Sequence, residues 1–338
     1  MNSRFIKVTV FLVCVIASVL ITLNFLRQTF TAPLDPNQTK IEIFEIAQGK
    51  GLTQIAQELR DRSLIRSVFG MKMLAKLIYD SATVKAGEYE LSASMTPKEI
   101  LRKLISGDIV KRRVLVKEGA TVWEIAQALD QAGVVSKSDF LHEVTDAGFL
   151  KKAGITAPSF EGYLFPETYF FSRPITSQEV IWQMFELAEK KWTEEYSNQM
   201  EALSLTRHDI LTLASMIQKE SASEDEMPLV SSVFHNRMKQ GMKMQCDPTV
   251  IYGIPNFNGN LTKEDLETDH PYNTYTRYGL PIGPISNPGE KAIRAALFPR
   301  ASNYLYFVGD GKGRHVFSEN LKDHNQAVHE YQIKPNLK

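Results

Sequence analysis

The sequence predicts an α+β protein in which one N-terminal apolar helix precedes two small, related α+β units and a larger α+β domain. Three observations predict it. Residues 8–26 are uncharged and apolar. A motif at Gly49 returns at Gly119, a shift of 70 residues. Beyond residue 170, capped amphipathic helices alternate with short β-rich runs.

A chain of 338 residues has room for two domains, each with a core of its own. Lys+Arg and Asp+Glu are both 39, so no global field draws nucleic acid. The only cysteines are Cys14, inside the apolar run, and Cys246, so neither a disulfide framework nor a CxxC metal site can be built. The seven histidines lack the HExxH spacing, and no metal or other cofactor is expected.

The run 8–26 has 19 residues, about 28 Å as a helix, enough to cross a bilayer core. Arg4 and Lys7 precede it and Arg27 follows, which favours a cytoplasmic N-terminus. No small-residue cleavage site follows the run, so an uncleaved anchor is expected rather than a signal peptide. Residues 1–7 then form a cytoplasmic tail and 27–40 a linker containing TAPLDPNQT (31–39). Everything beyond lies outside the cytoplasmic membrane.

Residues 41–155 hold the echo. GKGLTQIAQEL (49–59) matches GATVWEIAQAL (119–129), with Ile55-Ala56-Gln57 and Leu59 on Ile125-Ala126-Gln127 and Leu129. A β-rich run precedes each glycine, IEIFEI (41–46) and RRVLV (112–116). Each unit therefore reads as strand, turn, helix, loop and further helix, and a strand at 87–91 closes the first. Two such units are too few for a solenoid. They resemble LysM-like glycan-binding modules; a spacer between membrane and C-terminal domain is the competing reading.

The domain 156–338 begins with FEGYLFPETYFF (160–171), where Glu161 and Glu167 sit among aromatic rings as secondary acid candidates. Thr176 and Glu179 form a capping box for a core helix carrying Ile181, Met184, Phe185, Ala188 and Trp192. Thr206 and Asp209 start the next helix, which buries Ile210, Leu213, Ala214 and Ile217. At about 100° per residue, Glu220 falls on that apolar side and Lys219 on the opposite one. A carboxylate placed there is costly to ionise, so its pKa rises toward what a general acid needs at neutral pH. A glutamate satisfied by a neighbouring cation or amide is the plainer alternative.

Ser223-Glu224-Asp225-Glu226 puts acid at the start of a further helix, and Gly241 stops it. Gln245, Asp247-Pro248-Thr249 and Tyr252 read as an extended, turn-rich segment. HPYNTYTRYGLPIGPISNPG (270–289) is too rich in proline and glycine for helix or central strand, and reads as a functional loop. Residues 304–317 form a hairpin, followed by a closing helix to Tyr331.

Together, ASMIQKES, VFHNRM, MQCDPTVIYG, the 270–289 loop, YLYFVGDGKGRHVF and EGYLFPETY resemble the YceG-like, MltG-type endolytic murein transglycosylases. The resemblance covers the chain beyond the anchor. It implies that Glu220 is the catalytic acid, and that the partners are peptidoglycan glycan strands, the inner membrane and peptidoglycan synthases, with no nucleic acid. It also implies cleavage between N-acetylmuramic acid and N-acetylglucosamine, with 1,6-anhydromuramic ends that terminate glycan elongation. Loop composition and proximity in sequence make Gln245, Asp247, Tyr252, Tyr272, Asn273 and Tyr275 the candidate substrate-binding residues. A non-catalytic peptidoglycan-binding scaffold is the main alternative. A protease or esterase is disfavoured, since no GxSxG elbow exists and Cys246 has no evident histidine partner.

Overall fold

The computed structural model describes residues 3–78, 83–221 and 223–334. Met1 and Asn2 of the predicted tail, and 335–338 of the predicted C-terminal domain, lie outside the described residues. The fold is α+β. It divides into two compact units, Met1–Arg112 with Phe171–Pro174, and Arg113–Phe170 with Ile175–Lys338.

The first unit runs α1 (Ser3–Phe30), β1 (Glu42–Ile46), α2 (Leu52–Asp61), α3 (Val68–Ile78), β2 (Gly87–Leu91) and α4 (Pro97–Ser106). Within α1, Lys7–Phe30 is long and apolar enough to cross a membrane. Its C-terminal end is docked: a side chain at Gly70 of α3 would come within 2.7 Å of Thr29. Residues 31–39 form neither helix nor strand, as expected of a linker. They are nonetheless pinned, with Arg66 donating to the Leu34 carbonyl at 2.8 Å and Ser92 to that of Gln38 at 3.0 Å. β1 and β2 pair antiparallel, Phe44 opposite Tyr89, and both rings are fully buried. Ile55, Ala56 and Leu59 of α2 close over them. Helix α4 was not foreseen, although Thr96 and Glu99 form a capping box at its start.

The second unit continues with β3 (Arg112–Leu115), α5 (Val122–Gln131), α6 (Lys137–Glu143), α7 (Ala147–Lys152) and β4 (Thr168–Phe171). Then come α8 (Ser177–Lys191), α9 (Glu194–Leu203), α10 (Arg207–Glu220), α11 (Met227–Lys239), α12 (Asp247–Gly253), α13 (Lys263–Glu267) and α14 (Glu290–Leu297). The hairpin β5 (Tyr306–Gly309) and β6 (His315–Ser318) precedes α15 (Leu321–Val328). β3 pairs with β4, and Ala120 bridges to Asn287. The second repeat thus folds with the C-terminal half of the chain, not with its counterpart.

Helix α10 lies at the centre. A single buried stripe was expected, yet every residue from Ile210 to Ile217 is buried. The polar ones are satisfied from two directions: Thr212 and Ser215 donate to the carbonyls of His208 and Thr212, and Ser215 accepts from the Ile285 amide at 3.0 Å. A helix enclosed on all sides tolerates hydroxyls only when they are paired in this way. One close approach makes the enclosure possible. Gly162 has φ +85 and lies against Pro284, where an added Cβ would come within 2.4 Å.

Candidate active site

The last turn of α10 fixes three consecutive side chains on three different segments. Gln218 accepts from the Gly289 amide at 3.0 Å, and Lys219 donates to the Gly119 carbonyl at 3.3 Å. Glu220 turns the other way, toward Cys246, Asp247 and His315. Ser221 leaves helical geometry at ψ 120, so the helix ends on the carboxylate.

Burial pushes the Glu220 carboxyl above its ordinary range. A hydrogen bond from the Cys246 thiol opposes the shift, the negative charge of Asp247 adds to it, and His315 counters it weakly. The thiol itself is buried and its pKa is pushed well up, by desolvation and then by Glu220. Cys246 is therefore a poor nucleophile and a neutral donor to Glu220. His315 is braced by Glu226, whose carboxylate takes its backbone amide at 3.1 Å and its Nδ1 at 3.0 Å.

Residues 247–253 are helical, where an extended segment was expected. Asp247 and Pro248 occupy the first turn of α12, and both residue types suit a helix start. The segment leading into it is clamped by Arg237, which is buried and donates to the carbonyls of Leu305, Lys243 and Met244 at 2.7, 3.1 and 2.8 Å. Arg237 also reaches the Gln245 side chain at 3.2 Å, and Gln245 holds φ +52, uncommon for a residue with a Cβ. Cys246 is fixed by its amide, which donates to Thr274 Oγ1 at 3.0 Å.

The 270–289 loop lies along α12 without regular structure, as expected. Tyr275 donates its hydroxyl to Asp247, and the Tyr252 and Tyr272 rings meet at 4.7 Å. Gln245 and Asp247 are exposed, and Tyr252, Tyr272 and Tyr275 half-buried; Asp247 and Tyr275 lie near Glu220, whereas Tyr252 and Tyr272 lie near the buried Glu161. Asn273 differs. It is buried, its amide donates to the carbonyls of Asp265, Leu266 and Thr268, and its oxygen accepts from the Tyr275 amide at 2.8 Å. Its groups are spent on shaping the loop that presents Tyr272 and Tyr275.

The other two acids separate cleanly. Glu167 is exposed and accepts from the Thr168 amide. Glu161 is fully buried and accepts from the Val122 amide at 3.0 Å, the Tyr252 hydroxyl at 3.1 Å and Asn287 Nδ2 at 2.7 Å. Desolvation outweighs those bonds and holds its carboxyl at about 8. A cavity of about 670 Å³ lies elsewhere in the unit, lined by Lys117, Glu167, Lys191 and Arg294 among others, and Glu220 is not part of it. Both Glu161 and Glu220 are raised, but Glu161 is spent on three donors, whereas Glu220 lies beside the exposed Asp247. Among the described residues, no group of His, Cys, Asp and Glu could hold a metal ion.

Sequence reasoning missed Cys246 and His315 as neighbours of Glu220, and Trp123, whose ring meets Tyr252 at 5.2 Å. Nothing in their spacing announces these contacts.

Residues 44–330 match the YceG-like family. The endolytic murein transglycosylase of Bacillus subtilis (strain 168) is 33% identical over 315 residues, 88% of this chain and 87% of the relative. That of Streptococcus pneumoniae serotype 2 is 29% identical over 332 residues, 88% of this chain but 60% of the relative's length. The crystal structure of a yceG-like protein from Listeria monocytogenes is similar at TM-score 0.59 and 32% identity, over 85% of this chain and 99% of that one.

Proposed function

The chain belongs to the YceG-like family, and on that premise we propose that it is a lytic transglycosylase acting within peptidoglycan strands, with Glu220 as its one acid–base group. The observation that carries this reading is the raised Glu220 carboxyl at the end of an enclosed helix, beside the exposed Asp247 and the Tyr275 that bonds it.

Glycosidases that use water generally need two carboxyls, one for the leaving oxygen and one for the water or the carbon. A transglycosylase recruits the substrate's own hydroxyl instead. Glu220, whose burial favours the protonated form, gives its proton to the oxygen between N-acetylmuramic acid and N-acetylglucosamine as the C1–O bond breaks. The muramic C6 hydroxyl then attacks C1 and its proton returns to Glu220, leaving a 1,6-anhydro end and the acid restored. Asp247 raises the proton affinity of Glu220, and its negative charge opposes no part of an oxocarbenium-like centre. Gln245, Tyr252, Tyr272 and Tyr275 face the strand, and Asn273 holds their loop.

The rest of the proposal follows from the apolar run and the repeats. Residues 8–26 cross the inner membrane with 1–7 in the cytoplasm, and the remainder is periplasmic, next to nascent strands whose elongation it terminates. Peptidoglycan synthases are the natural partners there. The repeats act as LysM-like glycan modules.

The test is chemical. Mass spectrometry of glycan digested by the wild type should find 1,6-anhydromuramic ends and internal fragments. Glu220→Gln keeps shape but moves no proton, and should lower the rate by about 10⁴-fold, the upper end for acid–base catalysis, because one group serves both half-reactions. Reducing ends in place of anhydro ends would require a second carboxyl and sink the mechanism.

A further inference from the structure

We propose that Trp123, on the second repeat, together with Tyr252 and Tyr272 forms a stacking subsite for the sugar rings of the glycan strand. The inference rests on the glycan-substrate reading above and extends it to a residue outside the acid and its loop.

The three rings form a continuous row. The Trp123 and Tyr252 centroids are 5.2 Å apart at 50°, those of Tyr252 and Tyr272 are 4.7 Å apart at 57°, and Tyr272 stacks on His270 at 5.8 Å. Of the three rings Trp123 is the most exposed. Trp123 is 47% exposed, whereas the other tryptophans, Trp182 and Trp192, are half-buried. The row is tied to the acid's surroundings through the chain: Tyr252 lies on α12, whose first residue is Asp247, and Tyr272 shares its loop with Tyr275, which bonds Asp247.

The internal repeat supplies a control. The position of Trp123 in the first unit is Thr53, which is exposed. The two helices bury matching residues, Ile55, Ala56 and Leu59 against Ile125, Ala126 and Leu129. The helix therefore folds without a ring at this position, and the ring of the second unit meets Tyr252 of α12. The ring is also held in place. Glu161 accepts both the Val122 amide, which starts α5, and the Tyr252 hydroxyl. One buried carboxyl thus fixes Trp123 beside Tyr252.

The occupant follows from chemistry. A pyranose presents C–H groups on its faces and hydroxyls at its rim. Aromatic faces cover the first, and tyrosine hydroxyls at ring edges meet the second. The Tyr252 hydroxyl donates to Glu161, and the Tyr272 hydroxyl is a further polar group along the row.

The experiment measures binding of peptide-free glycan strands of defined length by calorimetry, in the full chain carrying Glu220→Gln so that nothing is cleaved. Adding Trp123→Thr, the residue of the first repeat, should weaken binding about three- to tenfold, as loss of one aromatic contact would. Trp123→Phe should recover part of it, and the thermal unfolding midpoint should be unchanged. Undiminished binding by a folded Trp123→Thr chain overturns the subsite. Should that variant unfold, Trp123→Phe decides, since the smaller ring must bind more weakly. Failure of the wild type to cleave glycan would strike the proposed function itself, and is read separately from product analysis.

Discussion

Asn287 donates its side-chain amide to the Glu161 carboxyl at 2.7 Å, while its oxygen accepts the amides of Gly162 and Leu164 at 2.9 and 3.0 Å. One buried pair therefore ties the end of the 270–289 loop to the segment before β4 and, through Glu161, to the starts of α5 and the aromatic row. The set of hydrogen bonds at Glu161 is structural, and its titration has a sign that can be measured.

The folded Glu161 carboxyl sits at about 8, against an ordinary value of 4.5, with burial as the cause. Between those values the native state keeps a proton that the unfolded chain has lost. Stability is then fully present below about 4.5 and declines as pH rises to about 8, by at most roughly 1.4 kcal/mol per pH unit. Glu220 pushes in the same direction, so the comparison is between variants. Glu161→Gln should flatten the pH dependence of urea unfolding across this window, while costing about 1–3 kcal/mol because an NH₂ now meets donors. An unchanged slope in a folded variant would show that Glu161 does not titrate there.

The second prediction concerns where the chain can be cut. A fragment beginning at Arg113 keeps most of β3, its pairing with β4, and the Val122 amide that Glu161 accepts. A fragment beginning at residue 156 loses all three and exposes the buried Glu161. The first should give a cooperative thermal transition and retain glycan cleavage; the second should not fold cooperatively. Equal unfolding midpoints for the two would mean that the second repeat is dispensable.

How far the sequence reached follows from how local each signal is. The position of Glu220 was legible because helical periodicity and the Thr206–Asp209 cap are contained within one turn-by-turn pattern. The paired strands at 42–46 and 87–91 were legible for the same reason, from β-rich composition and the repeat. The neighbours of Glu220 were not. Cys246 and His315 lie 26 and 95 residues further on, and only packing brings them to it. The full enclosure of α10 was hidden by Thr212 and Ser215, polar residues whose partners lie within the helix and in a distant loop. By contrast α4 and α12 had readable starts, Thr96-Pro97 with Glu99 and Asp247-Pro248, and were overlooked.

Membrane topology is the third prediction. Lys7–Phe30 is helical and apolar enough to span a bilayer, and basic residues flank it as an N-in anchor requires. A reporter fused after Lys338 that works only outside the cytoplasm should be active. The mature chain should retain its N-terminal residues. A mature N-terminus near residue 32 would convert the anchor into a signal peptide.

The last prediction exploits two neighbours that move the Glu220 proton in opposite directions. The Cys246 thiol stabilises the carboxylate and lowers its pKa; the Asp247 charge destabilises it and raises it. Removing the thiol by Cys246→Ala should therefore raise the Glu220 pKa further, and the rate should persist to higher pH before it falls. Asp247→Asn removes the repelling charge, so the Glu220 pKa drops and the alkaline fall of the rate moves to lower pH. The Tyr275 hydroxyl keeps an acceptor in that variant, the Asn oxygen, so the loop stays in place. A purely structural role for either residue would lower the rate at every pH without moving the profile. The measurement is kcat/KM for anhydro-end formation across pH in the three chains, since this ratio reports the free enzyme's acid. Profiles that shift apart, Cys246→Ala upward and Asp247→Asn downward, identify Glu220 as the group that titrates. Profiles that coincide with the wild type would mean that the proton comes from elsewhere.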